Sequence, residues 1–153
     1  MVLGPQAGLA PRADHRVVTN SERADQLLAD ADAIAGEMRS ALALHRWNLA
    51  VRRAQEVIEL VAKGLINEMG VEYPRTHDPV PALIDTIRQR RVDADQAFLD
   101  RLRSLSRELA DLRGPAFYQE IALREDQASG AVDGAEKVLR FGRVLVGRLR
   151  GDG

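Results

Sequence analysis

Arg113 and Tyr118, five positions apart, have the chemistry to hold a phosphate-bearing ligand. A guanidinium meets a phosphate with paired charge-assisted hydrogen bonds, and a phenol can donate a hydrogen bond or stack on a base. The plainer use is structural: Arg113 satisfies carbonyls at a helix end while Phe117 and Tyr118 plug the fold. Glu59 and Lys63 stand four apart with the acid first, the favourable order for a helical ion pair worth roughly 0.2–0.5 kcal/mol when exposed. An exposed surface pair is the simpler expectation for them, and the lining of a cleft is the alternative. Of the histidines, His15, His45 and His77, the last reads as a connector histidine bonded to backbone, with Asp78 beside it as a helix cap. Trp47, close to His45, is expected to seal one end of the fold.

Two basic sets could touch nucleic acid. One is Arg88, Arg90 and Arg91; the other is Lys137, Arg140 and Arg143 continuing to Arg148 and Arg150. The favoured reading of the second set is a solvated helix face whose cations sit well near a helix C-terminus. The 22 basic and 23 acidic side chains leave a formal net charge of -1, which excludes the overall field of an obligate nucleic-acid coat. Lys63 and Lys137 are the only lysines, and the arginine bias suits bidentate phosphate contacts without requiring them. With no cysteine, a disulfide framework, a thiolate nucleophile and a cysteine-built metal centre are excluded, and a reducing, cytoplasmic setting fits best. No metal site and no cofactor are expected.

The elements that must position these residues are helices. At 153 residues the chain is the size of one domain with its own core. Residues 1–20, rich in Pro, Gly and Ala, read as a flexible tail without a secretory signal or membrane span, and residues 21–150 as the folded part. Thr19 and Glu22 have capping-box spacing ahead of a stripe from Ala24 through Ala31 and Met38 to Leu42. After a break near His45 to Asn48, a second helix carries Val51, Ala54, Val57, Ile58, Val61, Leu65 and Met69 and stops at Gly70. Its other side shows Gln55, Glu59 and Lys63. A proline-rich connector leads to a short third helix capped by Asp78, and Asp93 or Asp95 opens a fourth that Gly114 and Pro115 end. A last helix follows a polar stretch at 120–129. Gly130, Gly134 and Gly142 lie on one side of it, and either let a neighbouring backbone approach or merely weaken it. The fold class is all-α, an up-and-down helical bundle of about five helices.

Two segments carry a family resemblance. The run Trp47-Asn48-Leu49-Ala50-Val51, with Arg53 through Gln55, Glu59 and Lys63 to Gly64-Leu65, resembles the second-helix signature of the HEPN family. In that family Gln, Glu and Lys recur on an apolar helix, followed by a glycine, a proline-containing connector and a histidine, places filled here by Gly70, Pro74 and His77. The run Leu112-Arg113-Gly114-Pro115-Ala116-Phe117-Tyr118 is similar to the family's arginine-containing segment before the last helix. The resemblance covers about residues 24–150.

The resemblance implies a bundle that commonly dimerises around a polar cleft, so a homodimer is expected. It also implies association with nucleotide or RNA, and plausible pairing with a minimal nucleotidyltransferase in a toxin–antitoxin or defence arrangement. Ribonuclease members of the family place a histidine a short spacer after the arginine; here Tyr118 occupies that place and no histidine follows Arg113. A phenol with an ordinary pKa near ~10 cannot do an imidazole's proton transfer at neutral pH unaided. The leading expectation is therefore a noncatalytic accessory module. A metal-independent ribonuclease toxin and a purely structural interaction domain are the alternatives.

Overall fold

The computed structural model describes residues 17–151 and contains α1 (Asn20–Ala43), α2 (Trp47–Glu68), α3 (Val80–Gln89), α4 (Gln96–Phe117) and α5 (Glu125–Leu149). No strand occurs among the described residues, so the chain is an all-α helical bundle. Most of the tail expected over residues 1–20, namely 1–16 and with it His15, lies outside the described residues. No helix is long and apolar enough to cross a membrane among them.

The bundle is organised around α2, which contacts each of the other four helices. Its sequence explains this place: Ala50, Val51, Ala54, Val57, Ile58, Val61, Ala62, Leu65 and Ile66 cover most of its circumference and are all buried. A helix apolar on so many sides has to be surrounded. Around it α1 contributes Ala31, Ala35 and Met38, α3 Leu83 and Ile84, α4 Leu99 and Leu102, and α5 Val138, Leu139 and Leu145. Small residues on α5 set its distance from α2 and α4. A methyl on Gly142 would stand 2.7 Å from Val61 Cγ1, and one on Gly134 2.3 Å from Leu105 Cδ2, whereas Gly130 has nothing within 4 Å. Close approach thus accounts for two of the three glycines.

Starts and stops follow local chemistry. The Thr19 hydroxyl accepts the Glu22 amide at 3.1 Å at the head of α1, and Asp95 accepts the amides of Ala97 and Phe98 at the head of α4. All five helices close on a residue with positive φ: His45 (59°), Gly70 (81°), Arg91 (53°), Gln119 (58°) and Gly151 (78°). At the first four the paired Schellman bonds form, as in Arg46 N to Ala41 O at 2.9 Å with His45 N to Leu42 O at 3.1 Å.

Two expected boundaries are corrected. Helix α4 does not end at Gly114-Pro115 but runs to Phe117, because proline removes one backbone donor only and Tyr118 N still reaches Gly114 O at 3.0 Å. Asp78 does not cap α3: Pro79 holds the cap position with no side-chain bond, and Asp78 instead accepts the Ser106 hydroxyl at 2.6 Å, tying the α2–α3 connector to α4. Helix α5 begins inside the polar stretch, where the Arg124 amide is held by Gln127 Oε1 at 2.8 Å and Glu125 and Asp126 favour the helix start. The connection from α4 to α5 is held by Asn48, whose amide donates to Ile121 O at 2.8 Å and accepts Leu123 N at 3.0 Å.

Candidate functional site

Gln55, Glu59 and Lys63 recur every four residues and therefore lie on one face of α2. That face looks onto the α2–α3 connector and α4, not onto solvent. Gln55 is buried, and the Glu59 and Lys63 side chains are each only 13% exposed. The expected exposed ion pair is thus corrected to a largely buried one, with Lys63 Nζ 2.7 Å from Glu59 Oε2 and 5.3 Å above the Tyr73 ring. Periodicity fixes which residues share a face; the connector and α4, distant in sequence, decide what covers it.

Gln55 is the hub. Its Nε2 donates to Glu59 Oε1 and to the His77 carbonyl, both at 2.9 Å, and its Oε1 accepts from Arg113 Nη1 at 2.7 Å. Because a guanidinium only donates, this last bond fixes the orientation of the amide. His77 Nδ1 lies 3.0 Å from Glu59 Oε1, and Arg113 Nη1 lies 3.9 Å from the same oxygen. One carboxylate oxygen therefore faces an amide, an imidazole and a guanidinium.

Burial alone would raise the Glu59 carboxyl's pKa. Hydrogen bonds from Lys63, Gln55 and His77, together with the charge of Lys63, outweigh it and hold the group below its ordinary value of 4.5. Glu59 is an anion at neutral pH and accepts only, so His77 Nδ1 must carry the proton it shares with Glu59.

Arg113, with 36% of its side chain exposed, stands at the lip of this network. A cleft of ≈ 370 Å³ on one side of it is lined by Arg52, Glu56, His77, Phe117 and Tyr118, and one of ≈ 380 Å³ on the other by Asp30, Ile34, Glu56, Glu59 and Leu60. The aromatic pair does not plug the bundle: Phe117 is 53% and Tyr118 71% exposed, because α4 continues past Pro115 and carries both beyond the packed layer. Their rings meet edge to face at 5.0 Å, and the Arg52 guanidinium covers Phe117 at 4.4 Å. Arg113 does not serve helix-end carbonyls either; the Schellman bonds do that, leaving its side chain for Gln55. Trp47 is half-buried and stacks on His45 at 4.9 Å.

Of the candidates read from the sequence, Arg113, Tyr118 and Glu59 meet around these clefts, and Lys63 stands behind Glu59. Lys137, Arg140 and Arg143 do not join them. They lie exposed along α5, where Lys137 pairs with Asp133 at 3.0 Å and Arg143 with Asp32. Gln55, His77, Arg52 and Phe117 were not singled out as site residues. Gln55 carried a signal, as an uncharged polar residue in register with Glu59 and Lys63, and so did His77, as the histidine after the proline-containing connector in the family resemblance; for Arg52 the sequence has none, since its neighbour Phe117 comes from α4.

No curated protein and no solved structure matches the chain. The model of the HEPN domain does match, over residues 24–145, which include every residue of the α2 ladder, the connector histidine and the arginine of α4. The chain belongs to the HEPN domain family.

Proposed function

We propose that this nucleotide- or RNA-associated module binds a phosphate of its ligand in the cleft bounded by α2, the α2–α3 connector and the end of α4. Arg113 is the phosphate ligand, and Tyr118, beside Phe117, stacks on a base. The observation that carries this is the state of Arg113: Gln55 orients it through Nη1 alone, and a guanidinium has five N–H donors. A cation aimed by a buried amide and still partly exposed is prepared for an anion. The exposed aromatics next to it supply the sequence-tolerant stacking that holds single-stranded bases.

The Arg113–Tyr118 segment binds and does not transfer protons, since it lacks the histidine of the ribonuclease pattern. As an accessory module the chain acts as a homodimer beside a minimal nucleotidyltransferase, in a toxin–antitoxin or defence setting; family membership supports this arrangement. Fluorescence anisotropy with a labelled single-stranded oligoribonucleotide tests the binding. Arg113→Ala is expected to weaken it at least ~10-fold and to reduce the slope of affinity against salt by about one unit. Full affinity in a folded Arg113→Ala protein would remove the reading. Sedimentation of the purified chain tests the dimer, and a monomer at micromolar concentration would count against it.

A further inference from the structure

The cleft that holds Arg113 and Tyr118 adjoins another at the end of α4. Arg52 and Tyr118 line the first; Asn48, about 6 Å before Arg52 along α2, and Gln119, which follows Tyr118, line the second, of ≈ 550 Å³. The second is walled by the α1–α2 turn and by the connection from α4 to α5, with Arg46, Trp47, Glu120 and Ile121 among its lining residues. We propose that this second cleft is a base-stacking subsite with Trp47 as its platform, taking a further base of the single-stranded RNA whose phosphate Arg113 holds. The inference rests on the phosphate-binding reading above and extends the bound strand beyond it.

The platform is already assembled. Trp47 lines the cleft, and its ring stacks with that of His45 at 4.9 Å, inclined by only 23°. A base laid on this pair extends an existing stack, so little ordering is left to binding. His45 closes α1 with a φ of 59°, where Gly70 and Gly151 close α2 and α5 in the same left-handed geometry with no side chain. Glycine takes that conformation more cheaply, so His45 keeps its ring against Trp47 under local strain. The opposite wall is fixed by Asn48, whose amide donates to Ile121 O at 2.8 Å and accepts Leu123 N at 3.0 Å.

The lining suits a base better than a phosphate. Arg46 and Glu120 are both exposed there and bring opposite charges, so the lining side chains carry no net formal charge. The side-chain amide of Gln119 is engaged as well as that of Asn48: its Oε1 accepts from Asn48 at 3.4 Å and its Nε2 donates to Ala116 O at 3.3 Å. Little polar capacity is left to read a base edge, and Leu49 and Ile121 offer apolar surface. Recognition by stacking is tolerant of sequence. It is also indifferent to salt, unlike the phosphate contact of Arg113, which the two subsites' salt dependences therefore separate.

The test uses the full chain and labelled single-stranded oligoribonucleotides of about four nucleotides, intact or with one abasic residue at each position in turn. Anisotropy gives affinity, and the emission of Trp47, the sole tryptophan, reports the contact directly. The intact strand is expected to quench that emission, and an abasic residue at one position to abolish the quenching and weaken binding at least ~5-fold. Trp47→Leu should weaken the intact strand by the same factor at every salt concentration and make that abasic position indifferent. Should leucine at 47 melt early, His45→Asn, which accepts a left-handed φ and removes the neighbouring ring, should weaken binding in the same direction. Arg113-dependent binding that leaves Trp47 emission unchanged, or that a folded Trp47→Leu protein retains in full, overturns the proposal and leaves the phosphate-binding reading standing. Quenching equal for intact and all abasic strands overturns it too, since the contact would not be with a base. No Arg113-dependent binding of any strand overturns both.

Discussion

Among single residues, Gln55 has the largest reach for the least charge. It holds one contact each to Glu59, His77 and Arg113, on three separate elements. Gln55→Leu is expected to lower unfolding free energy by about 1–3 kcal/mol, because a buried charge and a carbonyl lose their partner. It should also weaken RNA binding without touching the ligand; denaturant melts and anisotropy on one sample check both. Glu59 makes a separate prediction. Its folded-state pKa is depressed, so the stability it contributes is present above its ordinary value of 4.5 and is lost as pH falls through the lower folded value. Lys63→Met removes the leading opposing hydrogen bond and the charge, and lets burial raise that pKa. The variant should therefore lose most stability relative to wild type above pH 4.5, and the difference should close in more acid solution. Melting temperatures measured across that range test it, and a constant difference would contradict it.

At the level of elements, legibility followed the type of residue that ends each helix. Thr19 with Glu22, and Gly70, carry recognisable chemistry, and α1's start and α2's stop fall where that chemistry puts them. The stops at His45, Arg91 and Gln119 use the same left-handed geometry in residues that do not advertise it, so α4 passes through the glycine and proline that the sequence offers as its end. These positions also store strain, since a left-handed non-glycine residue costs roughly 1–2 kcal/mol. Arg91→Gly, at an exposed position, is expected to raise stability by up to about 1 kcal/mol after the added freedom of the unfolded chain is discounted. Asn48 was invisible as a latch because its partners lie more than seventy residues away. Asn48→Ala should cost about 1–3 kcal/mol and first increase hydrogen exchange at Leu123. The candidate site divides the same way. The α2 ladder and Arg113 could be read from spacing and resemblance, whereas the entry of His77 depends on how the connector folds back.

Over the whole molecule, packing separates glycines that look alike in sequence. Gly130→Ala is expected to stabilise by about 1 kcal/mol, through helix propensity alone, since its added methyl meets nothing within 4 Å. Gly142→Ala gains the same propensity but drives a methyl to 2.7 Å from Val61 on the central helix, and a net loss of about 1–2 kcal/mol is expected. Thermal melts of the two variants, side by side, decide whether α5 is held as close as the structure has it. The C-terminal end of α5 is clasped as well, by Arg150 on Glu68 at 2.6 Å and Asp25 at 3.0 Å, so helices distant in sequence are joined at that end. The helix that organises the core also carries the polar ladder, and this sets two selective pressures against each other. Replacing Gln55, Glu59 and Lys63 together by well-packed apolar side chains is the kind of change that often makes a buried polar network more heat-resistant. A lineage or a laboratory screen rewarding endurance alone would drift toward that inert form, so retention of the three polar residues under such a screen would require a simultaneous demand for ligand.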